Sequence, residues 1–205
     1  DYYKDNLPQI FNTRGGGLSI YGGVIAGVIT TIIFGKVRKQ NFFQLLDTAC
    51  VGLITGQIIG RWGNFCNREA FGGYTNGLFA LQPKESDVAS SNLTHAVLKH
   101  IVEIDGTRYM QVHPTFVYES LWNVGVLVVL LLFTKHRKYN GQIFLIYLLG
   151  YGLGRVWIEG LRTDQLIFFG TGVAVSQVLS GGLVVASAGI LIYQYVKGRQ
   201  EKKAA

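Results

Sequence analysis

Charge is scarce in this sequence. Only 15% of its 205 residues are Asp, Glu, Lys or Arg, against about a quarter in a soluble globular chain. Cysteine is scarcer: two residues make no disulfide scaffold, and neither a CxxC pair nor a metal-spaced Cys/His cluster occurs, so no metal and no cofactor are expected. The chain begins at Asp1 without a methionine, and its first fourteen residues lack a charged start followed by an apolar core. That reads as no signal peptide and points to a fragment. No long internal repeat and no low-complexity linker is present. The net charge of +7 raises nucleic acid as a partner, but the basic residues fall in short runs beside apolar segments, as topology signals do. No nucleic-acid partner is expected.

What the sequence has is apolar length and glycine. Hydrophobic residues make up 49%, and glycine numbers 27, a composition suited to helices packed closely in a bilayer. Five stretches, about 18–35, 43–63, 116–133, 141–160 and 173–195, are long enough, or nearly so, to cross about 30 Å of hydrocarbon. The fold class is therefore an all-α polytopic membrane protein with about five transmembrane helices. Lys36, Arg38 and Lys39 follow the first stretch, Lys135, Arg137 and Lys138 the third, and Lys197, Arg199, Lys202 and Lys203 the fifth. In a five-span chain these places share one side, and the positive-inside rule makes it, and the C-terminus, cytoplasmic. Residues 74–112 read as a small extracytoplasmic insertion. Within it Ser91 is placed to cap a short helix through His100, and Ile101 to Val112, broken at Asp105-Gly106, reads as a hairpin.

Polar groups gather where these spans end on the outer side. A charge at the bilayer centre costs roughly 2.5–3.5 kcal/mol on insertion scales, so each needs a partner or a purpose. Arg61, Asn64 and Asn67 stand three apart and share a face if the helix continues through them. The guanidinium offers a planar fork of donors suited to phosphate; the plainer reading is a snorkelling Arg at a Gly-rich helix end. His113-Pro114-Thr115 opens the third span, with Tyr118 and Glu119 one turn inside. His113 and Glu119 read either as a proton acceptor or as a partner for an Arg; the plainer reading of His113 and Tyr118 is an interfacial pair. Tyr151, Arg155, Glu159 and Arg162 follow steps of four, four and three along one helical stripe, which reads as a structural ion pair or as the wall of a polar cavity. Gly22-Gly23 beside Tyr21, with Gly27 in a GxxxG spacing, reads as close helix packing. Converging Arg, Asn, Tyr and Glu suggest a pocket for an anionic phospholipid headgroup, serving an enzyme, a small phospholipid or solute transporter, or a structural subunit.

The run Gly60-Arg61-Trp62-Gly63-Asn64-Phe65-Cys66-Asn67-Arg68-Glu69-Ala70-Phe71-Gly72 resembles the signature G-R-x-G-N-F-x-N-x-E-x-x-G of the prolipoprotein diacylglyceryl transferases at every specified position. His113-Pro114-Thr115 with Tyr118-Glu119 is similar to that family's HPxxxYE segment, and Tyr151 through Arg155, Glu159 and Arg162 to its YGxxRxxxExxR segment. Gly16 to Gly23 and Gln177-Val178-Leu179-Ser180 match in order. The resemblance implies seven membrane helices, of which this chain is expected to lack the first two. It also implies an active site toward the outer leaflet, with phosphatidylglycerol, a prolipoprotein signal peptide carrying a lipobox cysteine, and the bilayer as partners. The diacylglyceryl group would pass to the cysteine thiol, forming a thioether and releasing glycerol phosphate. In that chemistry Arg61 and Arg155 serve the phosphate, Asn64 and Asn67 orient the headgroup, and Glu69, Glu159 and Tyr151 hold the arginines and pocket, with Gly72, Tyr118, Glu119 and Arg162 completing the binding set. Tyr21 stands where many members carry His; Tyr21 and His113 are the candidates for handling the thiol proton. Cys50 and Cys66 read as packing residues.

Overall fold

The computed structural model describes residues 20–90, 93–163, 165, 167 and 172–204, without the side chains of 20, 21 and 202–204. The chain divides into two compact units, residues 1–46 and 47–205. In the first unit lies α1 (Ile20–Val37). It ends in a Schellman turn: Gln40 N donates to Gly35 O at 2.9 Å and Lys39 N to Lys36 O at 3.3 Å, with Lys39 in the left-handed region at φ 51°. Asn41 then caps α2 (Phe42–Cys66), its Oδ1 accepting from Gln44 N at 3.2 Å. Within that unit a Cβ at Gly23 or Gly27 would meet nothing within 4 Å among the described residues.

The second unit holds most of α2 and the elements that follow it. α2 ends as α1 does. Glu69 N donates to Asn64 O at 3.0 Å and Arg68 N to Phe65 O at 3.1 Å, with Arg68 at φ 54°. The chain then folds back on itself through a 3-10 turn (Glu85–Asp87), the short helix α3 (His95–Leu98) and the hairpin β1 (Val102–Ile104) with β2 (Thr107–Tyr109). Asp105 and Gly106 both have positive φ, 50° and 71°, which the tight primed hairpin turn demands. α3 is shorter than the sequence suggested. It starts after Thr94 with no side-chain cap, and Ser91 lies outside the described residues. Phe71, Val88, Val97, Met110 and Val112 form the small core of this segment.

α4 (Thr115–Thr134), α5 (Gln142–Glu159) and α6 (Val175–Ala204) follow. Cys50 and Ile54 of α2, Val126 and Leu130 of α4, and Ile143 and Tyr147 of α5 make the main core. Three helical stretches among the described residues are long and apolar enough to cross a membrane: Phe42–Cys66, Thr115–Thr134 and Val175–Glu201. Gly22–Val37 is apolar but shorter. α5 is less apolar for a physical reason: it carries three glycines, two tyrosines, Arg155 and Glu159, and it turns the charged pair into the protein.

α4 and α5 approach closely because glycine lets them. A Cβ on Gly154 would collide with the Trp122 ring, and one on Gly150 would lie 3.0 Å from the methyls of Val126. Trp122 Nε1 donates to Gly150 O at 2.8 Å across the same contact. Gly150 and Gly154 are thus the GxxxG pair that packs helices here.

Candidate active site

Glu119 and Trp122 are one turn apart on α4, and Arg155 follows Gly154 directly on α5. The glycine contact therefore delivers Glu119 to Arg155. The Glu119 carboxylate is buried among the helices, where a lone charge would be costly, and it is shared by two guanidiniums. Its Oε2 lies 2.7 Å from Arg61 Nη1 of α2, and its Oε1 accepts from Arg155 Nη1 of α5. Arg155 extends the chain of charges: its Nη2 is 2.7 Å from Glu159 Oε2, and Arg162 Nη1 stands 3.7 Å from the same oxygen. The contacts at Glu159 are electrostatic rather than well-aligned hydrogen bonds. Three helices thus feed one line of alternating charge, Arg61–Glu119–Arg155–Glu159–Arg162.

The backbone around this line is tied. Gly72 N donates to His113 O at 2.9 Å, Gly73 N to Leu161 O at 3.0 Å, and His113 N to Gly73 O at 3.0 Å. Gly72 also bridges Arg162. Thr115 Oγ1 donates to Ala70 O. Only glycine fits at 72, because a Cβ there would stand 2.7 Å from His113 Cβ and 2.9 Å from Leu161 O. These bonds gather the end of α2, the start of α4 and the end of α5 into one layer. Gln177 anchors α6 to it, donating from Nε2 to Val156 O at 2.9 Å while its Oε1 accepts from Ala174 N at 3.2 Å.

The remaining residues singled out from sequence fall in three places. Tyr118 and His113 meet, Nδ1 to Oη at 3.3 Å, beside the ion line. Tyr151 stacks on Tyr147 at 5.7 Å between centroids, and Tyr147 Oη accepts from Gln57 Nε2 at 3.0 Å. Asn64 and Glu69 line a pocket of about 370 Å³ with Phe65, Cys66, Arg68, Phe71 and Phe116 among its other walls. Glu69 accepts from Asn67 Nδ2 at 3.1 Å, so it holds an asparagine rather than an arginine. Cys50 is buried in the core, but Cys66 is exposed and is not a packing residue, because α2 ends there and the chain turns away. The Tyr21 side chain lies outside the described residues.

Sequence reasoning missed Asp47. Its buried carboxylate accepts from Gly141 N at 2.8 Å and from Phe144 N at 2.9 Å, with Arg137 Nη1 at 3.4 Å. An Asp within an apolar run was the available signal. Its partners lie 90 to 97 residues away, beyond any local pattern.

A line of half-buried arginines held by buried glutamates, at a helix end beside a glycine-tied loop, presents guanidinium donors of the kind that suit phosphate oxygens. The family model described as prolipoprotein diacylglyceryl transferase matches residues 1–193. Among similar proteins, one named phosphatidylglycerol–prolipoprotein diacylglyceryl transferase from Clostridioides difficile (strain 630) is 40% identical over 98% of this chain and 69% of its own length. Proteins of the same name from Listeria monocytogenes serotype 4b (strain CLIP80459) and Bacillus cytotoxicus are 43% identical over 96% of this chain and 66% of their own, and 40% over 99% and 70%. The chain belongs to the prolipoprotein diacylglyceryl transferase family. It spans about two thirds of the length of the relatives it matches.

Proposed function

We propose that the protein transfers the diacylglyceryl group of phosphatidylglycerol to the cysteine thiol of a prolipoprotein. The observation that carries the site assignment is the shared carboxylate: Arg61 and Arg155, from separate helices, converge on the two oxygens of Glu119. In the reaction the thiolate sulfur attacks the diacylglyceryl carbon and forms the C–S bond. The C–O bond to the phosphate breaks, and glycerol phosphate leaves with the electron pair. The thiol proton passes to an acceptor. Arg61 and Arg155 meet charge that grows on the phosphate oxygens as that bond opens, while Glu119 and Glu159 hold the guanidiniums in place before the lipid arrives. Arg162 extends the positive end of the line toward Gly72. Asn64 and Asn67 orient the headgroup, Glu69 holds Asn67, Tyr151 packs the α5 stripe, and His113, paired with Tyr118, is the candidate to receive the thiol proton. Tyr21 keeps its role as the other proton-handling candidate. The transporter reading has no repeat to support it.

The same reading sets the topology. Five helices cross the bacterial cell membrane, residues 74–112 stand outside it as an insertion of the single membrane domain, the site faces the outer leaflet, and the basic runs after α1, α4 and α6 put the C-terminus in the cytoplasm. The test uses the intact natural protein, labelled phosphatidylglycerol and a lipobox peptide. Arg155→Ala and Arg61→Lys are each expected to lower thioether formation at least about a hundredfold, the scale of losing one transition-state donor, while insertion is unchanged. Near-normal transfer in both variants would remove the phosphate assignment.

A further inference from the structure

The most exposed large apolar side chains among the described residues are not on the long helices. They are Leu78 and Phe79, 92% and 79% exposed, on the loop that follows Gly73. The loop is ordered by its own bonds. Ala80 N donates to Gly77 O at 3.0 Å, closing a turn with Leu78 and Phe79 at its two central positions. Gly77 N donates to Thr75 Oγ1 at 3.2 Å. Central turn positions ordinarily hold Gly, Pro, Asn, Asp or Ser. Two bulky apolar residues in their place conflict with the local rule, and such conflicts mark sites of function.

Where the turn is held decides what it meets. Its two limbs bracket one short extended segment: Tyr74 bridges Val112 on one side and Leu81 bridges Val112 on the other, with Leu81 N to Val112 O at 2.9 Å and the reciprocal bond at 3.0 Å. Val112 is three residues before the start of α4. The preceding residue, Gly73, is bonded to Leu161, just past the end of α5. The turn therefore projects from the layer in which the helices end. Residues 74–80 carry no charge, and exposed Trp62 and Phe65 on the last turns of α2 belong to the same end, the belt position where aromatic rings meet the membrane surface.

We infer that the Leu78–Phe79 turn is a lipid anchor that inserts into the outer leaflet beside the site. This rests on the membrane topology proposed above. Sinking the two side chains to headgroup depth removes them from water without asking any buried polar group to follow. It also holds the Gly72–Gly73 tie, and with it the site, at a fixed height over the lipid that is to be consumed.

An environment-sensitive fluorophore tests the anchor in proteoliposomes of phosphatidylglycerol and phosphatidylethanolamine containing brominated acyl chains. It is attached at one introduced cysteine, in a Cys50→Ala, Cys66→Ser background, at position 79 (Phe79→Cys), at 131 (Leu131→Cys, on the exposed face of α4) or at 105 (Asp105→Cys, at the hairpin tip). Positions 131 and 79 are expected to be quenched within about twofold of each other, 79 best by bromines near the headgroup, and 105 not at all. Quenching at 131 without quenching at 79 overturns the anchor and leaves the topology standing. No quenching at 131 overturns the topology. A spectral change at 79 that needs added lipobox peptide, and not lipid, makes the turn a peptide-docking element and also overturns the anchor.

Discussion

Replacing Asp47 by Ala tests whether one buried carboxylate holds α5 in place. The helix begins at Gln142 behind Gly141, and glycine has no side chain with which to cap it. Asp47 supplies the cap from α2. Its Oδ1 takes Phe144 N, the third helical position, as a local capping Asp would, and its Oδ2 takes Gly141 N. The negative charge also sits at the positive end of the helix dipole. Removing it orphans two N–H donors in a buried place, at about 1–3 kcal/mol each. Arg137 is a third exposed, so water compensates it and its share is small. The expected loss is about 3–5 kcal/mol, which for a chain of this size lowers the unfolding midpoint by roughly 10 °C. Asp47→Asn keeps one carbonyl acceptor for Phe144 and loses the charge and the second acceptor, so about half the loss is expected. Thermal unfolding in a fixed detergent or bicelle reads both variants. A shift of a degree or two for Asp47→Ala, or Asn falling below Ala, would refute the cap. Because Arg155 and Glu159 ride on the far end of α5, transfer activity is expected to fall with the folded fraction in the same order.

Two further outcomes follow from single contacts. Gly72→Ala puts a methyl 2.7 Å from His113 Cβ and 2.9 Å from Leu161 O. Neither the backbone oxygen nor a Cβ can swing away, so about 1–3 kcal/mol of strain and loss of transfer are expected; an unstrained, active variant would show that the tie between α2, α4 and α5 is loose. Tyr139, in the loop before α5, has its hydroxyl buried without a protein partner, and burial first, then the Asp47 charge, pushes its phenol above the ordinary range. A raised pKa means that the folded state holds the proton more tightly, so stability is intact below about pH 10, the unfolded value, and is lost as pH rises beyond it. Tyr139→Phe is expected to match the parent near neutrality and to overtake it above pH 10 in paired unfolding curves; parallel curves would reject the assignment.

Much of the fold was legible because it rests on local properties. Apolar runs long enough to cross a bilayer became helices, and Asp105-Gly106 became the turn between β1 and β2 because both positions require positive φ. The polar residues of the site were legible as anomalies: an Arg or Glu inside an apolar run needs a partner. Which partner was not legible. Arg155 and Glu159 are one turn apart and could be paired on paper, but Glu119 lies 58 residues from Arg61 and 36 from Arg155. It meets both only because Gly150 and Gly154 let α4 and α5 touch. The sequence also offered a glycine spacing at Gly23 and Gly27, and nothing in spacing alone singles out the pair on α5 as the one that brings these charges together. The end of α2 was hidden for another reason. Arg68 takes the left-handed position that usually announces itself as glycine, so the helix stops just after Asn67, whose N–H still bonds Gly63 O.

Arginines meant for a phosphate would gain nothing by being free. An unpaired guanidinium in a dry site would draw in water or fold back on a carbonyl, and ordering it would then cost part of each turnover. Glu119 and Glu159 instead hold the forks in place. Three arginines against two glutamates leave the line one positive charge in excess, which matches the single negative charge of a phosphodiester. Each guanidinium has five donors, and the ion pairs occupy only some of them. As the carbon–oxygen bond breaks, the phosphate passes from a diester to a monoester and gains negative charge. In the proposed reaction a fixed positive field would therefore bind the departing group more strongly than the lipid that entered, and that difference, rather than tight binding of the substrate, would accelerate the transfer.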